Sequence, residues 1–242
     1  MILEVCVDSI ESAVAAQQGG AGRVELCADL AHGGTTPSIG MIRSVRGEVS
    51  LKVHVMIRPR AGDFCYSEAE FEVMKSDVLE VKKLGVDGLV FGILTSERAI
   101  DTSKTAALLE LSRPLSVTFH RAFDETVDLS AALTELKRLG VDRVLTSGGK
   151  SSAEAGITTL ADLVRKSGSS IKVIAGGGIT PENITDVVGQ TGVDEVHALS
   201  SVSTTIADLS FASKLFYSPK LVADASKVRR MNDIVQSLSQ RK

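Results

Sequence analysis

Two short segments near the start of the chain carry acids and thiols in the same alternating order. They read Glu4-Val5-Cys6-Val7-Asp8 and Glu25-Leu26-Cys27-Ala28-Asp29. Successive side chains of a β-strand point to opposite faces, so the acids and thiols of each segment share one face. A buried charge needs a partner, which makes such a face costly as ordinary core. We therefore predict that two neighbouring strands bring carboxylates and thiols together on a functional surface.

The two thiols have two interpretations. Cys6 and Cys27 could hold a soft metal ion, because Cα atoms on neighbouring parallel strands lie roughly 5 Å apart. Thiolates are soft ligands, so the metal expected there is a soft one. Alternatively, both are small buried hydrophobic side chains, as free cysteines commonly are. A structural zinc site is not indicated, since the sequence has no Cys-x-x-Cys pair and its histidines are scattered.

Two glutamates in mid-strand require partners if they are buried. Arg58 and His120 lie on predicted strands that can point into the same interior as Glu4 and Glu25. A carboxylate near an imidazole and a guanidinium can transfer a proton at a bound anion. These four residues are our candidate catalytic group, in an enzyme acting on a small anionic or phosphorylated metabolite. The alternative is a structural ion-pair network that fills the interior.

A run of three glycines, Gly176, Gly177 and Gly178, precedes a predicted helix start at Thr180-Pro181. Backbone without Cβ atoms can approach a ligand closely, and the free N–H groups of a helix N-terminus favour an anion. We predict an anion-binding site here, the alternative being that the glycines only allow tight packing of strand on helix. The same anion-binding role is assigned to three further polar residues, Arg60, Ser147 and Ser200.

The elements that must position these residues follow a repeating pattern. A glycine, valine and aspartate recur where helices end and strands begin, at residues 85–87, 140–142 and 192–194. The glycine can end a helix in the left-handed conformation, and the aliphatic run after it suits a strand buried on both faces. Capping-box spacing marks helix starts at Asp8 with Glu11 and at Ser67 with Glu70.

Strands and helices alternate along the whole chain. Strict alternation predicts parallel strands joined by right-handed crossovers. Eight such units in 242 residues approach the ~250 residues typical of a closed barrel. We predict an α/β fold, a single (β/α)₈ TIM barrel domain over residues 1–242, with an open doubly wound sheet as the alternative. The strand candidates are residues 2–7, 23–27, 51–57, 88–91, 116–120, 143–146, 172–175 and 195–198.

The composition of the chain argues against two classes of binding partner. The net charge is -3, hydrophobic residues make up 43%, and no basic run occurs, so we expect neither nucleic acid nor an anionic membrane as partner. No apolar stretch approaches the ~20 residues of a membrane span, and the N-terminus does not read as a secretion signal. The three cysteines are then expected to be free thiols in the cytoplasm. No motif indicates a nucleotide cofactor.

The sequence resembles the CutC family, which is linked to copper homeostasis, over segments that run in order from residue 3 to about residue 200. The resemblance implies a cytoplasmic (β/α)₈ barrel that forms a homo-oligomer, a dimer or tetramer. It also implies binding of copper as Cu(I), with Cys6 and Cys27 at the positions of the cysteines suggested for copper in the animal branch. The segments are Leu3-Glu4-Val5-Cys6-Val7-Asp8-Ser9, Val24-Glu25-Leu26-Cys27, Gly33-Gly34-Thr35-Thr36-Pro37-Ser38, Val55-Met56-Ile57-Arg58-Pro59-Arg60, Gly62-Asp63-Phe64, Asp87-Gly88-Leu89-Val90-Phe91-Gly92, Thr118-Phe119-His120-Arg121-Ala122-Phe123-Asp124, Leu145-Thr146-Ser147-Gly148 and Gly176-Gly177-Gly178-Ile179.

Two departures from the family pattern bear on the site. The eighth strand reads His197-Ala198-Leu199-Ser200, where the family often has serine and alanine after the small residue, and Gly149 stands where some relatives have another cysteine. A third thiolate from that loop is therefore not available. The hypotheses from sequence are a copper-binding protein, an enzyme acting on a small anion, and a non-catalytic oligomeric scaffold.

Overall fold

The computed structural model describes residues 1–206 and 220–240. Eight parallel strands close into a barrel in chain order, β1 next to β2 and β8 next to β1. This confirms the predicted (β/α)₈ barrel and excludes the open sheet. Each strand lies within one residue of its predicted range at either end. The strands are β1 (Ile2–Val7), β2 (Arg23–Leu26), β3 (Lys52–Met56), β4 (Gly88–Phe91), β5 (Ser116–Phe119), β6 (Arg143–Thr146), β7 (Lys172–Ala175) and β8 (Glu195–Ala198).

Helices follow the barrel strands and cover their outer faces. They are α1 (Ile10–Gln18), α2 (Ile39–Glu48), α3 (Glu68–Lys82), α4 (Thr102–Ser112), α5 (Leu129–Leu139), α6 (Ile157–Ser167), α7 (Ile184–Thr191) and α8 (Ala225–Ser239). Two further strands, β9 (Ser203–Ile206) and β10 (Lys220–Ala223), pair antiparallel outside the barrel. In the described ranges, none of the helices has both the length and the apolar sequence to cross a membrane.

Outward-facing aliphatic side chains of the strands form the main core with the helices. On β1, Leu3, Val5 and Val7 are at most 1% exposed, and Leu133 and Leu136 of α5 are buried in the same cluster. This accounts for the aliphatic members of the alternating segments. The other members of each strand point into the barrel.

Of the three predicted helix starts, the structure confirms one and corrects two. Ser67 and Glu70 form the predicted capping box. Helix α1 is instead capped by Ser9, whose hydroxyl accepts a hydrogen bond from the Ser12 amide, so the predicted Asp8 cap is wrong by one residue. Both side chains have acceptor oxygens, and the spacing of Asp8 to Glu11 did not distinguish them.

The predicted helix start at Thr180-Pro181 is also wrong, because α7 begins at Ile184. The Asn183 side chain holds the intervening turn. Its Oδ1 accepts from the Thr180 amide at 2.9 Å, and its Nδ2 donates to the Gly178 carbonyl at 2.8 Å. The helix N-terminus therefore starts three residues later than expected and is separated from the glycine run.

The amino ends of the strands hold a buried ion-pair network. Arg23, only 1% exposed, donates from Nε to Glu4 and from Nη2 to Glu195 at 2.6 Å. Glu195 also accepts from Arg143 Nε at 3.1 Å, and Arg143 bonds the Ser116 hydroxyl. Burial would lower the pKa of Arg23, but the two carboxylates outweigh it and raise the pKa above its ordinary value. The interior is thus occupied in part by paired charges, where TIM barrels are usually filled by branched apolar residues.

Removing the central cation of this network should be strongly destabilising. We expect Arg23→Met to lower the free energy of unfolding by about 3–5 kcal/mol, because two carboxylates lose their buried partner. Urea denaturation followed by circular dichroism measures this. Lys83→Met is the matched control, since Lys83 pairs with Glu80 on the surface, and it should change the value by less than about 0.5 kcal/mol. Equal effects of the two substitutions would contradict the assigned role of the network.

Candidate functional site

A cavity of about 290 Å³ opens where the carboxyl ends of the barrel strands meet. TIM barrels carry their functional residues at this end. Strands β1, β2 and β8 and the segments that follow β2, β5, β7 and β8 contribute the groups that can do chemistry. They are Cys6, Glu25, Cys27, His120, Arg121, Gly177, Gly178, His197 and Ser200.

The structure brings the two thiols together, although the alternating segments do not pair in register. Cys6 lies opposite Glu25, because Glu4 pairs with Arg23 and the two copies are offset by two residues. The Sγ atoms of Cys6 and Cys27 are 3.9 Å apart, and both side chains are at most 5% exposed. The offset therefore makes the thiols diagonal neighbours across β1 and β2.

The two aspartates of the segments do not join this group. Asp29 has a positive φ of 50° and its carboxylate contacts the His32 ring at 2.8 Å on the surface. Asp8 follows β1 and does not line the cavity. The shared pattern thus covers the glutamates and thiols only.

An imidazole lies between the two buried glutamates. His197 Nδ1 donates to Glu4 Oε1 at 2.7 Å, and His197 Nε2 is 3.9 Å from Glu25 Oε2. Burial would lower the pKa of His197, but the charges of Glu25 and Glu4 and its hydrogen bonds raise it well above the ordinary value. Burial would raise the pKa of Glu4, but Arg23 and His197 hold it far below. Glu4 and His197 therefore form an ion pair at neutral pH.

Glu25 is less completely paired. The Cys27 thiol donates to its Oε2 at 3.7 Å, while no described residue bonds its buried Oε1. Burial raises the pKa of Glu25, and the charge of His197 opposes this only in part. The contact with Cys6 lowers the pKa of Cys27, but burial and Glu25 outweigh it and raise that pKa to about 11. Without a metal ion, Cys27 is thus a neutral thiol at neutral pH.

His120 presents an unpaired nitrogen near the cavity. Its Nδ1 accepts from the Ala122 amide at 3.1 Å, so the proton of the neutral ring belongs on Nε2. That Nε2 is buried, and the described residues supply no partner for it. Burial, with the nearby charge of Arg58, lowers the pKa of His120 to about 3. The ring therefore offers a neutral N–H donor.

Arg58, predicted to be catalytic, and Arg60, predicted to bind an anion, are both engaged in contacts outside the cavity. Arg58 donates to the carbonyls of His32, Gly34 and Gly62, at 3.1, 2.8 and 2.7 Å, and does not line the cavity. Arg60 bonds a carboxylate of α3 and the loop after β3. Arg58 thus connects the loops after β2 and β3, and Arg60 fastens the loop after β3 to α3.

The glycine run divides into two parts. A Cβ on Gly176 would lie 2.5 Å from Leu145 Cδ1, so this glycine serves packing. Gly177 and Gly178 have φ of 94° and 71° and line the cavity, and within the described chain their amides have no acceptor. Ser200 also lines the cavity. Ser147 has its hydroxyl engaged by Asp124, the Lys150 carbonyl and Arg121.

Sequence reasoning did not assign a role to two residues of the cavity, His197 and Arg121. His197 lies two positions after Glu195 on β8, so strand alternation already placed both on the inner face. Arg121 follows His120 directly, and its guanidinium is held by Asp124 at 2.9 Å and by Ser147 Oγ at 2.8 Å. The signal for His197 was present in the alternation, whereas the position of Arg121 depends on the turn after β5.

Fold and site together define a TIM-barrel protein with a pocket of thiols, carboxylates and imidazoles at the carboxyl ends of its strands. The chain belongs to the CutC family, whose sequence model matches residues 1–202. The copper homeostasis protein cutC homologs of Mus musculus and Homo sapiens are each 46% identical over 98% of this chain and 90% of their own. These relatives extend the match along nearly the whole chain.

Solved structures give the same result at the level of the fold. A putative copper homeostasis protein CutC from Streptococcus agalactiae superposes with a TM-score of 0.77 and 36% identity, over 81% of this chain and 98% of that chain. Thiamine phosphate pyrophosphorylase from Pyrococcus furiosus has a TM-score of 0.63 and 18% identity, covering 98% of this chain and 96% of its own. The second likeness shows the barrel fold alone.

Space for the His120 ring depends on Gly92, because a Cβ there would lie 2.5 Å from Nδ1. We expect Gly92→Ala to displace the ring and to lower the free energy of unfolding by about 1–3 kcal/mol through overpacking. Chemical denaturation and the histidine signals in a ¹H–¹⁵N NMR spectrum measure the two effects. Gly189→Ala, in open space on α7, is the control and should leave the ring signals unchanged. Unchanged His120 signals in Gly92→Ala would contradict the prediction.

Proposed function

We propose that the protein binds a cuprous ion as cargo through the thiolates of Cys6 and Cys27. The observation that carries this proposal is the 3.9 Å separation of the two Sγ atoms at the edge of a cavity. Soft thiolates suit Cu(I), and binding must release the thiol protons. The names of the mouse and human relatives, copper homeostasis protein cutC homolog, agree with this cargo. The site requires reduced thiols, and thiols stay reduced in the cytoplasm, so we propose a cytoplasmic location. Formation of a homo-oligomer stays a prediction.

Replacing both thiols should abolish copper binding. We expect the wild-type chain to hold one Cu(I) per chain against a chromogenic chelator under anaerobic, reducing conditions, and Cys6→Ser with Cys27→Ser to hold none. Serine keeps the shape of cysteine, so the fold should persist, which a melting curve checks. Cys65→Ser is the matched control, because this third cysteine is exposed in the loop after β3. Copper binding that survives in the double variant, or is lost with Cys65, would refute the proposal.

A second function is favoured by the N–H groups in the segments that follow β5 and β7. In the closed strand order β5 lies across the barrel from β1. Within the described chain, His120 Nε2 and the amides of Gly177 and Gly178 have no hydrogen-bond partner, and Arg121 lines the same cavity. Neutral and cationic N–H donors of this kind stabilise an anion. The alternative proposal is therefore an enzyme acting on a small anionic or phosphorylated metabolite, with acid-base roles for Glu25 and His120. Glu4, the third predicted acid-base residue, is paired with Arg23 and His197 and does not line the cavity.

Inorganic phosphate is the probe for this second function. At ten times its dissociation constant a ligand stabilises the native state by about 1.4 kcal/mol, which raises Tm by about 3–5 °C in a chain of this size. We expect that rise in wild-type protein and its loss in Arg121→Met. Arg165→Met on exposed α6 is the control and should keep the rise. Thermal melting without any phosphate-dependent shift, or with the same shift in Arg121→Met, would count against the anion site.

A further inference from the structure

We propose that His197 is the third ligand of the cuprous ion, which makes the site a three-coordinate centre of two sulfurs and one imidazole nitrogen. This inference rests on the proposed copper function and adds a residue to its ligand set. The juxtaposition that carries it is the position of His197 on β8, beside β1, in the wall of the cavity that both thiols also line.

Distances connect the imidazole to the thiols through one carboxylate oxygen. Glu25 Oε2 lies 3.7 Å from Cys27 Sγ and 3.9 Å from His197 Nε2. Two groups of potential metal donors share this glutamate, and within each group the donor atoms lie within 4.8 Å of one another. They are Cys6, Glu25 and Cys27, and Glu4, Glu25 and His197.

The other nitrogen of His197 is already held as in a metal-binding histidine. A metal-bound imidazole almost always donates its second N–H to a carboxylate or carbonyl, which fixes the ring. Here Nδ1 donates to Glu4 Oε1 at 2.7 Å, and Glu4 is held in turn by Arg23. This chain of contacts keeps a proton on Nδ1 and leaves Nε2 as the metal-binding nitrogen, so Cu(I) binding must release the Nε2 proton of the imidazolium together with the two thiol protons. At 12% side-chain exposure the ring lies at the cavity surface, where a bound ion can reach it.

A purely structural role explains only half of these contacts. The ion pair with Glu4 uses Nδ1, but the 3.9 Å between Nε2 and Glu25 is too long for a hydrogen bond. Glu4 also has Arg23 as a cation and does not depend on His197 for its partner. Imidazole suits copper, whereas a carboxylate is a hard donor better matched to Mg²⁺ or Ca²⁺, so Glu25 is not assigned to the ion.

Met56 is the competing third ligand. Its side chain packs in one apolar cluster with Cys6 and Cys27 and lines the cavity, and a thioether is also a soft donor. The two candidates differ in the element they would bind to copper. A method that tells nitrogen from sulfur therefore decides between them.

X-ray absorption of the wild-type protein loaded with one Cu(I) is the first test, and it needs no variant to fold. We expect a three-coordinate edge, with a nitrogen at the shorter distance and the multiple scattering of an imidazole ring. A linear two-sulfur site, or a third sulfur in place of nitrogen, would overturn the assignment to His197.

Variants give the second test, by chelator competition on folded protein. We expect His197→Ala to weaken Cu(I) binding by at least about tenfold, and Met56→Leu to keep the wild-type affinity. His32→Ala is the control, because this histidine is exposed beyond β2 and meets only Asp29. Wild-type affinity in His197→Ala refutes the third ligand alone. Absence of Cu(I) binding by the wild-type chain itself would instead refute the proposed function.

Discussion

The contact of Arg23 with Glu4 and Glu195 is the interaction on which the rest of the barrel interior depends. It joins β2 to β1 and β8, the three strands that also carry the thiols and His197. Removing one partner of a buried ion pair lowers stability by more than the intact pair contributes, because the remaining charge is left without either a partner or water. The network therefore contributes little as a source of net stability, and its consequence is geometric: Glu4 is held as a carboxylate under the ring of His197.

Strand register transmits this arrangement to the cavity. The offset of two residues between β1 and β2 places Cys6 beside Glu25, and Cys27 one step nearer the mouth. A register shift of a single residue would turn every one of these side chains to the outer face. The closed barrel prevents that shift, since the outward aliphatic side chains of the same strands are buried against helices. The spacing of the thiols is thus a property of the whole sheet.

The sequence predicted the barrel and the inward face of its first two strands, because both follow from local periodicity. It could not predict partners, which depend on the stagger between strands. Arg58 illustrates this: its position after β3 was clear, but only the folded loops supply the three carbonyls that engage its guanidinium. His197 differs in part: strand alternation already placed it on the inner face of β8, but its partners became known only when closure of the barrel set β8 beside β1. The helix start predicted at Thr180-Pro181, next to the glycine run, was wrong for a local reason. The Asn183 side chain holds a turn there, and the helix begins only at Ile184.

Three histidines, His54, His120 and His197, fit inside the barrel because a glycine on or just after a neighbouring strand leaves room for each of them. A Cβ on Gly88 would lie 2.6 Å from the His54 ring, one on Gly92 2.5 Å from His120, and one on Gly176 3.2 Å from the Cβ of His197. Each inward histidine thus occupies space that a missing side chain next to it provides. Gly176 therefore belongs with these spacing glycines, while Gly177 and Gly178 face the cavity with amides that no described residue accepts from. The glycine run combines two physical functions, and only Gly177 and Gly178 are available to a ligand in the cavity.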